Sequence, residues 1–97
     1  MFRTISEVRE ANAAIGHHWF SRDTMRFFNS RIVGNLIDGR FFVSSERYDD
    51  GSPRLYTIRE AMPNGEIETV GEFQAFASAD AARRAIRSMI REEVPSA

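Results

Sequence analysis

The spacing of apolar positions changes period twice along the chain. Ile5, Val8, Ala11 and Ile15 recur three or four residues apart, which predicts a helix over 5–15. Thr4 and Glu7 stand at the spacing of a capping box, and Gly16 offers a left-handed exit. A second, short helix is predicted after Ser21. There Ser21 is the N-cap, Asp23 sits at the positive helix end, and Phe20 and Met25 occupy the two positions of a hydrophobic staple. The pair Phe27 and Phe28 then needs a surface to pack on, and a sheet is expected to supply it.

The middle of the chain reads as two hairpins. Segments 32–37 and 40–45 flank Asp38-Gly39, residue types that tolerate the positive φ of a tight two-residue turn. In that register Leu36 faces Phe41 and Gly34 faces Val43. Residues 46–53 form a polar connector with a turn at Asp50-Gly51. Segments 55–62 and 66–76 flank Asn64-Gly65, with Tyr56, Ile58, Met62 and Ile67 on one side and Gly71 marking a bulge. Helical spacing returns after Ser78, where Ala82, Ile86, Met89 and Ile90 make an apolar stripe. The expected fold is α+β. It is a four-stranded antiparallel sheet of two hairpins, with two N-terminal helices and one C-terminal helix packed mainly on one face. The whole of 1–97 is expected to form one domain, with 92–97 as a frayed tail.

Composition narrows the chemistry. The 97 residues carry a net charge of −1 and no cysteine, which removes disulfides, zinc–thiolate sites and thiol nucleophiles. No apolar run reaches the length of a membrane span, and the N-terminus lacks the apolar stretch of a signal peptide, so a cytoplasmic protein without a membrane partner is expected. All 13 basic residues are arginine. Arginine suits interfaces because its planar fork pairs with oxyanions and stacks on aromatics, although a coding bias toward Arg and Ala accounts for the same count.

Nothing in the sequence assembles a reaction centre. His17 and His18 are adjacent, so their side chains diverge, and Asp23 adds only one further ligand. Asp49 and Asp50 resemble half of a calcium loop without its closing Glu. Phosphate-cradling glycine loops, nucleophile elbows and dinucleotide fingerprints are missing. No enzymatic activity, cofactor or metal is expected.

Surface patterning offers more. Arg83, Arg84, Arg87 and Arg91 fall within about 100° of arc on the last helix, a basic stripe for nucleic acid or an ordinary solvated face. Glu66 and Glu68 share the non-core side of the last strand, joined by Glu72 if the phase survives Gly71. Strand residues two apart lie about 7 Å from each other, near the spacing of phosphates, so an acidic ladder can imitate a nucleic-acid backbone. Solubility or edge protection explains the same residues. Phe41 and Phe42 point to opposite sides of a strand, so Phe42, with Val33 and Ile37, forms either an exposed patch or core.

The stretches HHWFSRDTMRFFNSRI, DGRFFVSSE, PRLYTIREA and TVGEFQAFAS resemble a group of small accessory proteins carried by bacteriophages, prophages and mobile elements, over roughly residues 5 to 90. The resemblance transfers no active site. It implies a phage protein acting in the bacterial cytoplasm, a context in which small single-domain proteins inhibit host defence, anti-CRISPR proteins among them. The leading expectation is therefore a non-enzymatic inhibitor that occludes a host protein or ribonucleoprotein complex, such as a CRISPR effector. Glu66, Glu68 and Glu72 would meet a basic groove, with Phe42 as the anchor. The alternatives are a nucleic-acid-binding module using Arg83, Arg84, Arg87 and Arg91, or a structural phage protein that dimerises through Phe42 or an unpaired sheet edge.

Overall fold

Thr4 caps the first helix as its spacing predicts: its Oγ1 accepts from the Glu7 backbone N–H at 3.1 Å. The Glu7 carboxylate reaches one residue further than a capping box requires, accepting from the Arg3 N–H at 2.7 Å. In the computed structural model, which describes residues 1–93, this helix, α1, spans Ile5–Ala14. A five-residue helix, α2 (Arg22–Arg26), follows, with Ser21 Oγ accepting from the Thr24 N–H. Four strands come next: β1 (Arg31–Ile37), β2 (Phe41–Glu46), β3 (Leu55–Ala61) and β4 (Ile67–Val70). They form one antiparallel sheet in the order β1-β2-β3-β4. The chain closes with α3 (Ala79–Glu93), whose N-cap is Ser78.

The turns set registers that differ from the expected ones. Asp38 and Gly39 both take positive φ, as their types predict. Beyond them, however, Ile37 stands opposite Phe41 and Val33 opposite Val43, in place of the expected Leu36–Phe41 and Gly34–Val43 pairs. Four steps along β1 therefore match two along β2, and Gly34 takes up the irregularity at φ +78. Val33 and Ile37 both face the apolar layer because their partners Val43 and Phe41 do, and the bulge, adding an even number of residues, leaves that facing unchanged.

At the second hairpin the loop is Pro63-Asn64-Gly65. Met62 N–H donates to the Glu66 carbonyl at 2.8 Å, and Gly65, at φ +98, supplies the left-handed residue of a three-residue connection. Ile67 consequently pairs with Ala61 and lies on the face opposite Tyr56 and Ile58, correcting the one-sided grouping read from sequence. The last strand also ends early. It stops at Val70 before Gly71, and only Phe76 returns to bridge Tyr56.

Gly65 is further constrained by packing. A Cβ there would stand 2.7 Å from the Ala11 carbonyl carbon, whereas a Cβ on Gly71 (φ +75) meets nothing within 4 Å. Gly65→Ala is expected to lose roughly 3 kcal/mol and Gly71→Ala about 1 kcal/mol. Parallel denaturant titrations check the pair, and equal losses would show that the α1 contact yields freely.

Both faces of the sheet are covered, the first by α3 and the second by the Trp19–Phe20 segment that follows α1. On the first face, Phe41, Val43 and Ile58 pack against Ala82 and Ile86 of α3, ringed by Val33, Ile37, Tyr56, Val70, Phe76, Met89 and Ile90. On the second, Phe42 is fully buried beneath Trp19 and Phe20, whose ring centroids lie 5.8 and 5.9 Å away. Asn12 ties α1 to this layer: its Nδ2 donates to the Gly65 carbonyl at 2.9 Å and its Oδ1 accepts from the Trp19 N–H at 2.6 Å. All six residues of β2 are buried, as a strand covered on both sides must be.

Arg40 draws the far end together. Its guanidinium pairs with Asp38 and Glu60 across the sheet and with Glu93 of α3. Glu92 and Glu93 thus continue the helix where a frayed tail was expected, and residues 94–97 of that tail lie outside the described residues. Among the described residues no helix is long and apolar enough to cross a membrane.

Candidate functional site: an aromatic cleft over a buried ion pair

Alternation along β2 and β3 sends Ser44, Glu46, Thr57 and Arg59 to the face opposite α3, and all four are buried there. A buried charge survives only when paired and hydrogen-bonded. Arg59 Nη2 lies 3.2 Å from Glu46 Oε2, and Thr57 Oγ1 donates to Glu46 Oε1 at 2.7 Å. Arg59 Nε donates to Ser44 Oγ at 2.9 Å and Nη1 to Thr69 Oγ1 of β4. After β4, Gln74 closes the network from above. Its N–H donates to Thr57 Oγ1 at 2.8 Å and its Nε2 to the Glu46 carbonyl at 2.9 Å.

Aromatic rings flank this network. The guanidinium carbon of Arg59 lies 5.3 Å from the Trp19 ring and 5.6 Å from that of Phe73. Beside them opens a cleft of about 500 Å³, walled by Trp19, Met25, Phe27, Phe28 and Phe73, with Arg59 among its lining residues. Asp23, Thr24 and Ser30 complete the lining. Phe27 and Phe28 leave the end of α2 in different directions. Phe28 turns inward and meets Phe73 and Tyr48, each at 5.2 Å between centroids. Phe27 stacks edge-on against Phe28 at 4.8 Å yet remains 77% exposed, and Tyr48 is 64% exposed.

Chemically, the walls favour an apolar or aromatic group, because the only cation in the lining already has Glu46 as its counter-charge. The hydrogen bonds hold this part of the wall rigid, so a ligand meets a surface whose ordering cost falls on the fold.

The structure separates the site residues read from sequence. Phe42 is core and presents no anchor, because Trp19 and Phe20 cover it. Val33 and Ile37 pack toward α3, on the other face, so no patch joins them to Phe42. Glu66 and Glu68 do share a side, but it is the side of Ile58 and Glu60, directly across from Glu60 in the case of Glu68, and not the non-core side. Glu68 and Glu72 are exposed and Glu66 is half-buried. Gly71 ends the strand, so Glu72 does not continue the ladder. On α3, Arg84, Arg87 and Arg91 are exposed, while Arg83 is half-buried, pairs with Asp80 at 3.2 Å and leans over Gly34. His17 and His18 are exposed, and among the described residues no group of three His, Cys, Asp or Glu side chains gathers to hold a metal.

The cleft itself went unseen in the sequence. Its signal was present in the polar positions of FVSSE and LYTIRE, which only the β2–β3 register converts into an Arg–Glu pair.

Fold and cleft together define a small α+β fold with a four-stranded antiparallel meander, α3 on one face and an aromatic cleft on the other. The chain belongs to the family of unknown function DUF7447, whose model matches residues 4–87. That span takes in every element from α1 into α3. Neither the curated proteins nor the solved structures gave a match to it.

Proposed function

We propose that this protein is a non-enzymatic binding module that docks on a protein partner through the aromatic cleft, with Phe27 as its anchor. The observation that carries this reading is Phe27 itself, a large apolar side chain 77% exposed at the lip of a preformed cleft. Aromatic anchors beside fitted pockets dominate the energy of protein interfaces, and each supplies contact area with little rotamer entropy to lose. The partner in turn inserts an apolar or aromatic side chain between Phe27, Phe28 and Phe73. The narrower role, occlusion of a host defence complex in the manner of anti-CRISPR proteins, rests on the phage-type resemblance alone. In that role the exposed Glu68 and Glu72, with Glu66, form a second, acidic contact.

Phe27→Ala tests the cleft. Because Phe27 contributes little to the core, stability should stay within about 0.5 kcal/mol of wild type. Partner affinity, measured by calorimetry on a protein captured from host lysate, should fall tenfold or more, about 1.4 kcal/mol. Unchanged affinity would remove the cleft from the interface. A Glu66→Ala/Glu68→Ala/Glu72→Ala variant reports separately on the acidic contact.

A further inference from the structure

Three arginines converge where β2 runs into the 47–54 loop. Arg54 reaches back across the sheet, and its Nη1 donates to Ser45 Oγ at 2.8 Å, to the Ser45 carbonyl at 3.2 Å and to the Asn29 carbonyl at 2.9 Å. Arg31 stands directly opposite Ser45 on β1 and is exposed. Arg47 follows two residues after Ser45, and its backbone N–H donates to the Phe28 carbonyl at 2.9 Å.

None of the three is ion-paired among the described residues. The Arg47 guanidinium donates to the backbone carbonyls of Asp49 and Asp50, not to their carboxylates. The Asp49 carboxylate accepts from the Gly51 N–H and Ser52 Oγ. Glu46 points to the opposite face, where Arg59 and Thr57 take its oxygens. One guanidinium nitrogen, Arg54 Nη2, is buried with no hydrogen-bond partner among the described residues, which is uncommon in a folded chain. Burial, then the charges of Arg31 and Arg47, pull Arg54 below the ordinary range of a guanidinium, with Tyr56 and Glu46 acting the other way. Arg54 nonetheless remains a cation.

Directly after Arg47 comes Tyr48, 64% exposed and braced edge-on by Phe28 at 5.2 Å, on the side of the sheet that carries Phe73. Cationic side chains near an exposed ring are the pairing that holds single-stranded nucleic acid, through phosphate contacts and base stacking. A carboxylate is satisfied by one guanidinium fork, whereas the oxygens of a phosphate engage several at once.

We propose that Arg31, Arg47 and Arg54 form a site for a backbone phosphate of a single-stranded nucleic acid, with a neighbouring base stacked on Tyr48. The site is distinct from the stripe of Arg83, Arg84, Arg87 and Arg91 on α3, and it does not depend on the cleft reading. Phe27→Ala should leave it unchanged, so failure of one reading is distinguishable from failure of the other.

The test is fluorescence anisotropy of a labelled short oligothymidylate with the full chain, over a salt series. Inorganic phosphate and oligoglutamate serve as competitors. Binding is expected at low salt, and Arg31→Gln should shrink the log–log salt slope by about 0.7. Tyr48→Ala should weaken binding about tenfold. Arg31 and Tyr48 are exposed, so both variants keep the fold, and a thermal melt verifies it; Arg54→Gln is read only if its melt matches wild type. Four results would overturn the proposal: no complex at low salt, affinity indifferent to Arg31→Gln, a silent Tyr48→Ala, or oligoglutamate competing as well as the nucleic acid. Inorganic phosphate alone binding as tightly as the oligonucleotide would overturn it too, by showing that no strand is needed.

Discussion

Arg59→Met should cost the fold about 3–5 kcal/mol, among the largest losses available from any single change. The reason lies in what stays behind. Glu46 is completely buried, and without Arg59 its carboxylate keeps only the Thr57 hydroxyl as a side-chain donor. Ser44 and Thr69 lose the donor they accept from as well. Replacing both ends of the pair is a different experiment. Arg59→Met/Glu46→Leu removes the stranded charge along with its partner, and most of the lost stability should return. Guanidinium chloride titrations of the two single variants and the double variant check this. A loss under about 1 kcal/mol in Arg59→Met would mean that water reaches Glu46.

Phe42→Ala should be comparably severe, at about 3–5 kcal/mol. The ring fills the space between β2 and the 19–20 segment, and its removal leaves Trp19 and Phe20 facing a void. Trp19 is the single tryptophan of the chain, so its emission reports the change directly. A red shift accompanying the stability loss is expected. An unshifted spectrum with wild-type stability would place Phe42 outside the core. The contrast with Phe27→Ala is informative, since two Phe→Ala changes fifteen positions apart should differ about sixfold or more in cost.

Most of the fold could be read from the sequence because it is specified locally. Thr4, Ser21 and Ser78 cap the helices as their types predict. Asp38-Gly39 and Asn64-Gly65 place both hairpin tips. What escaped was decided by partners distant in the chain. The two extra residues between Val33 and Ile37 appear only in the pairing of β1 with β2, where Gly34 at positive φ absorbs them. Pro63 lengthens the second loop by one residue, and that single step moves Ile67 to the other face and Glu66 and Glu68 with Ile58. Phe42 was ambiguous for the same reason. A strand reading FFVSSE is compatible with one covered face or two, and its burial was settled by Trp19 and Phe20 arriving from a loop. The cleft combines all three difficulties, since its walls come from α2, from the 19–20 segment and from the chain beyond Gly71.

The irregularities at the two margins of the sheet have a consequence for self-association. One outer strand is kinked around Gly34, and the other offers only the four residues Ile67–Val70 before Gly71 diverts the chain. A neighbouring copy seeking to extend the pleated array would find no straight run of free amides and carbonyls on either flank. Fibre-like stacking is therefore discouraged by backbone shape, and the exposed rings of Phe27 and Tyr48 can stay in water without the sheet itself recruiting further chains.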